Sequence, residues 1–152
     1  MTEQRWIFVI RVIHKVGVLN AVTGVFSSWG ISLQTAMLNT MGPMGSNIII
    51  LSFSCSHRKK EIMERTVKRL ACVNGLTAYP YETNDLRMIA AFTVSENHRH
   101  NENKSVRIEE HIREDNSKTL YVSGTVMAVD TYITPMLKNE ELQDLIRTIL
   151  PT

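Results

Sequence analysis

The chain has 152 residues, of which 43% are hydrophobic and 21% charged, and its formal net charge is +2 at pH 7. That length suits one ordinary domain or two small ones in tandem, and that apolar content excludes a disordered chain. A charge that small does not by itself imply a nucleic-acid-binding surface. The two cysteines, Cys55 and Cys72, are too few for a disulfide scaffold and lack metal-ligand spacing. They are expected to be buried thiols in a reducing compartment. No apolar run reaches the roughly 18 residues of a membrane span, and no signal-peptide pattern opens the sequence. The expected setting is cytoplasmic, away from membranes.

Arg5 to Ile13 is almost wholly apolar and rich in β-branched and aromatic residues, which predicts a strand covered on both faces. His14-Lys15-Val16-Gly17 reads as a turn. Leu19, Val22, Val25, Phe26 and Trp29 then recur at helical spacing, and Gly30 supplies the stop. Ile31 to Met41 is the next predicted strand, Gly42-Pro43-Met44-Gly45 a turn, and Asn47 to Cys55 a third strand. Ser56 can cap a second helix whose inner face holds Ile62, Met63, Val67 and Leu70, with Asn74-Gly75 as its end. Leu76 to Tyr81 follows as a short strand with Pro80 inside it, so it is expected to be an edge strand or to end there. The order is βαββαβ, the split βαβ arrangement of a ferredoxin-like α+β fold.

Thr83-Asn84-Asp85 reads as a joint, giving expected domains of 1–84 and 85–152. Leu86 to Val94 is a strand, Glu96 to Ser105 a polar loop, and Ser105 to Ile112 either strand or helix. Asn116-Ser117 marks a turn. Thr119 to Ile133, rich in Val, Thr and Tyr, predicts a long strand bent at Gly124. A helix is expected to open at Thr134-Pro135 or Asn139, with Leu142, Leu145, Ile146 and Ile149 as its apolar stripe. The second half therefore reads as β–loop–β–β–α, a second α+β half that could be a degenerate copy of the first.

One stretch looks like a ligand site. A glycine at position 17 lets the backbone turn sharply and leaves the N–H groups of Val18, Leu19 and Asn20 exposed at a helix start. Such donors, with the helix dipole, attract a carboxylate. An amino acid fits that chemistry, and Asn20 is the nearest amide for its ammonium group. Plainer roles, a bare turn at Gly17 and a solvated Asn20, account for the same residues.

The strings Gly17-Val18-Leu19, Val22-Thr23-Gly24-Val25-Phe26 and Gly30-Ile31-Ser32-Leu33 carry a resemblance. Trp6 to Tyr81 resembles an ACT domain, the βαββαβ module that senses amino acids. Within that family the strings are most similar to acetolactate synthase regulatory (small) subunits. Members commonly place Asp or Asn, then Pro, before the turn glycine, where this chain has His14 and Val16. The resemblance implies a non-catalytic regulatory protein with no cofactor, binding a small amino acid between subunits. It also implies that a neighbour's second strand, Gln34 to Asn39, completes the site, with Gln34 and Met37 as candidate contacts. The implied partner is a catalytic synthase subunit of branched-chain amino-acid biosynthesis.

Strands apolar on both faces demand a cover on the side away from the helices, by the second half or another subunit. The expectation is a homo-oligomer, with a dimer favoured. Other patterns point to ordinary surface. His98-x-His100 with His111 sits in a polar tract, so a solvated loop outweighs a metal site. Ser27-Ser28, Ser123 and Thr125 lack a His and Asp patterned for nucleophilic catalysis. Glu109-Glu110 and Glu140-Glu141 suit solvated faces or helix starts. No phosphate-binding glycine motif occurs. The basic face of Arg58, Lys59, Lys60, Lys68 and Arg69 lacks the aromatic strand residues of RNA-binding modules, so no nucleic-acid partner is expected. The alternative to a ligand-binding regulator is an oligomeric scaffold without a small ligand.

Overall fold

The computed structural model of the chain describes residues 2–40, 47–99 and 102–151. They form two compact units, Met1–Tyr81 and Glu82–Thr152. The first runs β1 (Gln4–Val12), α1 (Val18–Ser28), β2 (Leu33–Asn39), β3 (Asn47–Cys55), α2 (His57–Lys68) and β4 (Val73–Pro80). Its sheet is antiparallel at every pairing, in the order β2-β3-β1-β4. This is the predicted ferredoxin-like βαββαβ unit.

Alternation along the central strands builds the core. Trp6, Phe8, Ile10 and Val12 of β1 meet Ile49, Leu51 and Phe53 of β3, and both rows pack with Val22 and Phe26 of α1 and Met63 and Val67 of α2. The alternate residues Ile7, Val9 and Ile50 are buried too, so these strands are apolar on both sides.

Local chemistry sets the helix ends. Gly30 adopts φ 66°, and the Ile31 N–H donates to the Phe26 carbonyl at 2.9 Å, closing α1. The Ser56 hydroxyl accepts from the Lys59 N–H at 3.2 Å and caps α2. The outer face of α2 is laced with ion pairs: Glu64 lies 3.6 Å from Lys60 and 3.0 Å from Lys68, and the Lys60 ammonium sits 4.7 Å over the Trp6 ring.

Two expectations for this half shift. Asn74-Gly75 does not end α2, which stops at Lys68; both residues lie inside β4. The Val73 N–H donates to the Leu70 carbonyl, a tight turn that brings the chain into the sheet earlier than the Asn-Gly signal suggests. The turn at 42–45 lies outside the described residues, as does Met41.

The second unit runs β5 (Leu86–Val94), β6 (Val106–Ile112), β7 (Lys118–Thr125), α3 (Val126–Lys138) and β8 (Gln143–Pro151), with sheet order β6-β7-β5-β8. It repeats the strand order of the first sheet, with no helix among the described residues between its first two strands. Strand, not helix, is the outcome for 106–112. At its far end the Asp115 carboxylate accepts from the Ser117 N–H and hydroxyl, which holds its pKa below the usual carboxylate range.

Here the sequence reading is overturned at two elements. The long strand expected over Thr119–Ile133 stops at Thr125, whose hydroxyl caps α3 by accepting from the Ala128 N–H at 3.3 Å. Val126, Val129, Ile133 and Met136 then form a buried helical stripe, and that packing overrides the β preference of Val, Thr and Tyr. The terminal helix expected over 142–149 is strand β8, paired antiparallel with β5 from Leu86↔Pro151 to Thr93↔Gln143. Asn139 is the C-cap of α3 rather than an N-cap, and Pro135 lies inside that helix. The C-terminal stop is Glu140 at φ 54°, with the Glu141 N–H donating to the Met136 carbonyl.

Gly124 marks a close approach. A Cβ there would stand 3.0 Å from the Ser105 carbonyl oxygen and 3.4 Å from Val106 Cγ1. Backbone cannot yield as a side-chain tip can, so Gly124→Val is expected to destabilise the protein by about 1–3 kcal/mol. Urea denaturation checks this, and a loss below about 0.5 kcal/mol would show that β6 can withdraw freely.

Candidate functional site

The turn after β1 is built from both sides. The Ile13 N–H donates to the Cys72 carbonyl at 3.0 Å, which keeps the chain on the sheet just past β1. Buried Asn47, the first residue of β3, donates its side-chain amide to His14 Nδ1 at 2.9 Å. That bond anchors the middle of the turn. Val16 next to it is 99% exposed, an apolar side chain with no cover.

Gly17 then takes φ 86° and ψ 2°, in the left-handed region, as N-cap of α1. A Cβ there would meet nothing within 4 Å, so the backbone angle, not crowding, calls for glycine. No side chain caps this helix. The first backbone donor satisfied within it is Ala21, whose N–H reaches the Gly17 carbonyl at 2.9 Å. The N–H groups of Val18, Leu19 and Asn20 have no partner among the described residues, the state that an anion at a helix start relieves. By contrast α2 and α3 are capped by Ser56 and Thr125.

The candidate side chains divide. Val18 is buried and packs in the core with Val22 and Phe26, and Leu19 packs against its margin, so only their backbone is available to a ligand. Asn20 is exposed. Gln34 and Met37 lie elsewhere in the unit. The register slips between Leu33 and Thr35, and the Thr35 hydroxyl lies 2.6 Å from that of Ser52. Met37, opposite Ile50, therefore shares the sheet face away from α1 and α2. Gln34 accepts from Arg5 Nε at 2.9 Å and donates to the Ser54 hydroxyl at 3.1 Å, beside the start of β1. Gly17 follows the other end of β1. Within one chain the structure thus gathers Gly17–Asn20 but does not bring Gln34 and Met37 to them.

Gln34 belongs instead to a hollow of about 410 Å³ whose lining includes Glu3, Ser32, Ser54, Ser56 and Lys59. Arg5, its partner, also stacks 3.7 Å over the Tyr81 ring. Sequence reasoning passed over this polar corner, although Ser54 near the end of a largely apolar strand, and Ser56 just beyond it, were its visible trace. Cys55 borders it, and burial pushes the thiol's pKa up, partly opposed by Lys59, so it stays protonated. Cys72 is half-buried, not buried as expected. Among the described residues no group of three His, Cys, Asp or Glu could hold a metal ion; His100 lies outside them. No helix among them is long and apolar enough to cross a membrane.

The chain is folded like an acetolactate synthase small subunit. The crystal structure of that subunit from Thermotoga maritima superposes with a TM-score of 0.71 over 97% of this chain and 95% of its own, at 18% sequence identity. An unknown protein from Galdieria sulphuraria follows at a TM-score of 0.48 and 11% identity, covering 98% of this chain and 99% of that one. No family model matches the sequence, and no curated protein matches it. At 18% identity the likeness is one of fold, and its coverage takes in both units.

Proposed function

We propose that this chain is a non-catalytic regulatory protein of the ACT type, its second unit a degenerate copy of the first. It binds a small amino acid at the Gly17 turn and modulates a biosynthetic enzyme of the acetolactate synthase kind. The observation that carries this reading is the uncapped start of α1 behind a left-handed glycine, with three N–H groups that have no partner among the described residues. The ligand carboxylate accepts from them, and Asn20 serves the ammonium group. A second protomer presents Gln34 and Met37 of its β2 and covers Val16. The likeness of fold along nearly the whole chain supports the choice of partner enzyme. Ligand binding that favours one arrangement of protomers is what the enzyme reads, and the coupling is reciprocal.

A thermal-shift screen of the amino acids tests the site. One of them is expected to stabilise the protein, by about 2.7 kcal/mol at a hundredfold excess over its Kd. Gly17→Val is expected to cost about 1–2 kcal/mol in backbone strain, to leave the protein folded and to remove that shift. Gly17→Asn, which tolerates the left-handed region, controls for strain. Silence across the panel, with an oligomer in sedimentation, would replace the regulator by a scaffold without ligand. A monomer at micromolar concentration counts against both. Co-purification with an acetolactate synthase catalytic subunit, and a change in its activity on mixing, tests the partner.

A further inference from the structure

We propose that the second unit carries an anion site, for the phosphoryl group of a small molecule, where Arg87, Lys104 and Arg107 line one hollow. The hollow measures about 480 Å³, within the range of small-molecule sites, and Ser123, Ile89 and Leu150 also line it. No Asp or Glu is among its lining residues.

Strand register brings these residues together. Arg107 of β6 stands opposite Ser123 of β7, Ser123 opposite Ile89 of β5, and Arg87 of β5 opposite Leu150 of β8. All alternate with the buried residues Met88, Ala90 and Val122, so they share the other face of the sheet. Arg87 and Arg107 rise from strands on either side of β7, offset by two residues, Arg87 opposite Thr125 and Arg107 opposite Ser123, which sets their backbones about 12 Å apart. Lys104 comes from the segment just before β6, which the absence of a side chain at Gly124 allows to lie close: the Ser105 carbonyl is 3.0 Å from where a Cβ would be.

Two of the three charges there are unspent. Neither Arg87 nor Lys104 has a hydrogen-bond or ion-pair partner among the described residues. Arg107 reaches Glu109 at 2.9 Å, but the two side chains are 79% and 60% exposed, a pair too solvated to hold much. The whole chain has 17 Lys and Arg against 15 Asp and Glu. Three cations in one hollow without a lining carboxylate are therefore a local feature, not a reflection of general basicity. Two guanidinium forks and one ammonium match the several oxygens and double charge of a phosphate monoester better than a single carboxylate. Ile89 and Leu150, 40% and 39% exposed, offer apolar contact to the rest of the molecule.

Isothermal titration of the full chain at fixed ionic strength tests this with phenyl phosphate, benzoate and a thymidylate oligonucleotide. Phenyl phosphate is expected to bind saturably and benzoate more weakly. Arg87→Gln and Arg107→Gln should each weaken phenyl phosphate at least about tenfold, the scale of one charge-assisted hydrogen bond. Lys104→Gln, outside any strand, should weaken it too, and circular dichroism confirms that all three variants fold. Phenyl phosphate binding that these substitutions leave unchanged overturns the proposal. So does the absence of saturable phenyl phosphate binding, whether or not the oligonucleotide binds. An amino-acid response at Gly17 is a separate readout, so either proposal can fail alone.

Discussion

Phe53→Ala is expected to lower the stability of the first unit by about 3–5 kcal/mol, among the largest effects available to a single truncation. Phe53 is fully buried at the meeting point of β3 with both helices. Its ring lies 4.8 Å from that of Phe8 at 89° and 4.9 Å from that of Phe26 at 64°, while Phe8 and Phe26 stand 6.0 Å apart. Edge-to-face pairs each add about 0.5–1.5 kcal/mol beyond the area they bury, and Phe53 makes the two closest. Removing it leaves a cavity walled by rings and by β-sheet backbone, which relax little. Both tryptophans, Trp6 and Trp29, belong to this unit. Tryptophan fluorescence in urea therefore reports its unfolding directly. A loss below about 1.5 kcal/mol would mean that Phe8 and Phe26 close over the space, and the ring trio would not be the keystone of this core.

The first unit was largely legible because its signals are local. Gly30 and Ser56 mark helix ends by chemistry that needs no tertiary context, and β3 is a largely apolar run whose expected bounds, 47–55, match the structure, as do those of β5 in the second unit, 86–94. The second unit hides its order. Helix α3 draws six of its thirteen residues from Val, Thr, Tyr and Ile, ends on Glu140 rather than glycine, and contains Pro135, which on its own reads as a helix start. Strand β8 spaces Leu145, Ile146 and Ile149 in a pattern that a helix satisfies equally well. Only pairing with β5, more than fifty residues earlier, decides it.

The sites divide in the same way. Gly17 was readable because a left-handed backbone at a helix start asks for glycine. The place of Gln34 was not, because the slip of register after Leu33 turns it onto Arg5 and Ser54. The basic hollow was invisible for a different reason. Arg87, Lys104 and Arg107 look like isolated surface charges in sequence, and only the order β6-β7-β5 brings them to one hollow.

The reassignment of the second unit has a sharp consequence at two isoleucines. Ile133 is fully buried on the inner stripe of α3, whereas Ile146 of β8 is 68% exposed. Had residues 142–149 been the terminal helix, Ile146 would lie on its apolar stripe, and a charge there would be ruinous. In the observed fold Ile146→Asp leaves the carboxylate in water and is expected to cost less than about 1 kcal/mol. Ile133→Asp instead forces a carboxyl group beneath a helix packed on β5 and β7. It loses the buried side chain as well, for a combined cost above about 4 kcal/mol. That exceeds what a small unit can spare, so its unfolding follows. The second unit has no tryptophan, so the measurement is hydrogen exchange of the β5 and β7 amides. Strong protection should persist in Ile146→Asp and vanish in Ile133→Asp. Equal losses in the two variants would return residues 142–149 to a buried helix and undo the strand order on which the basic hollow depends.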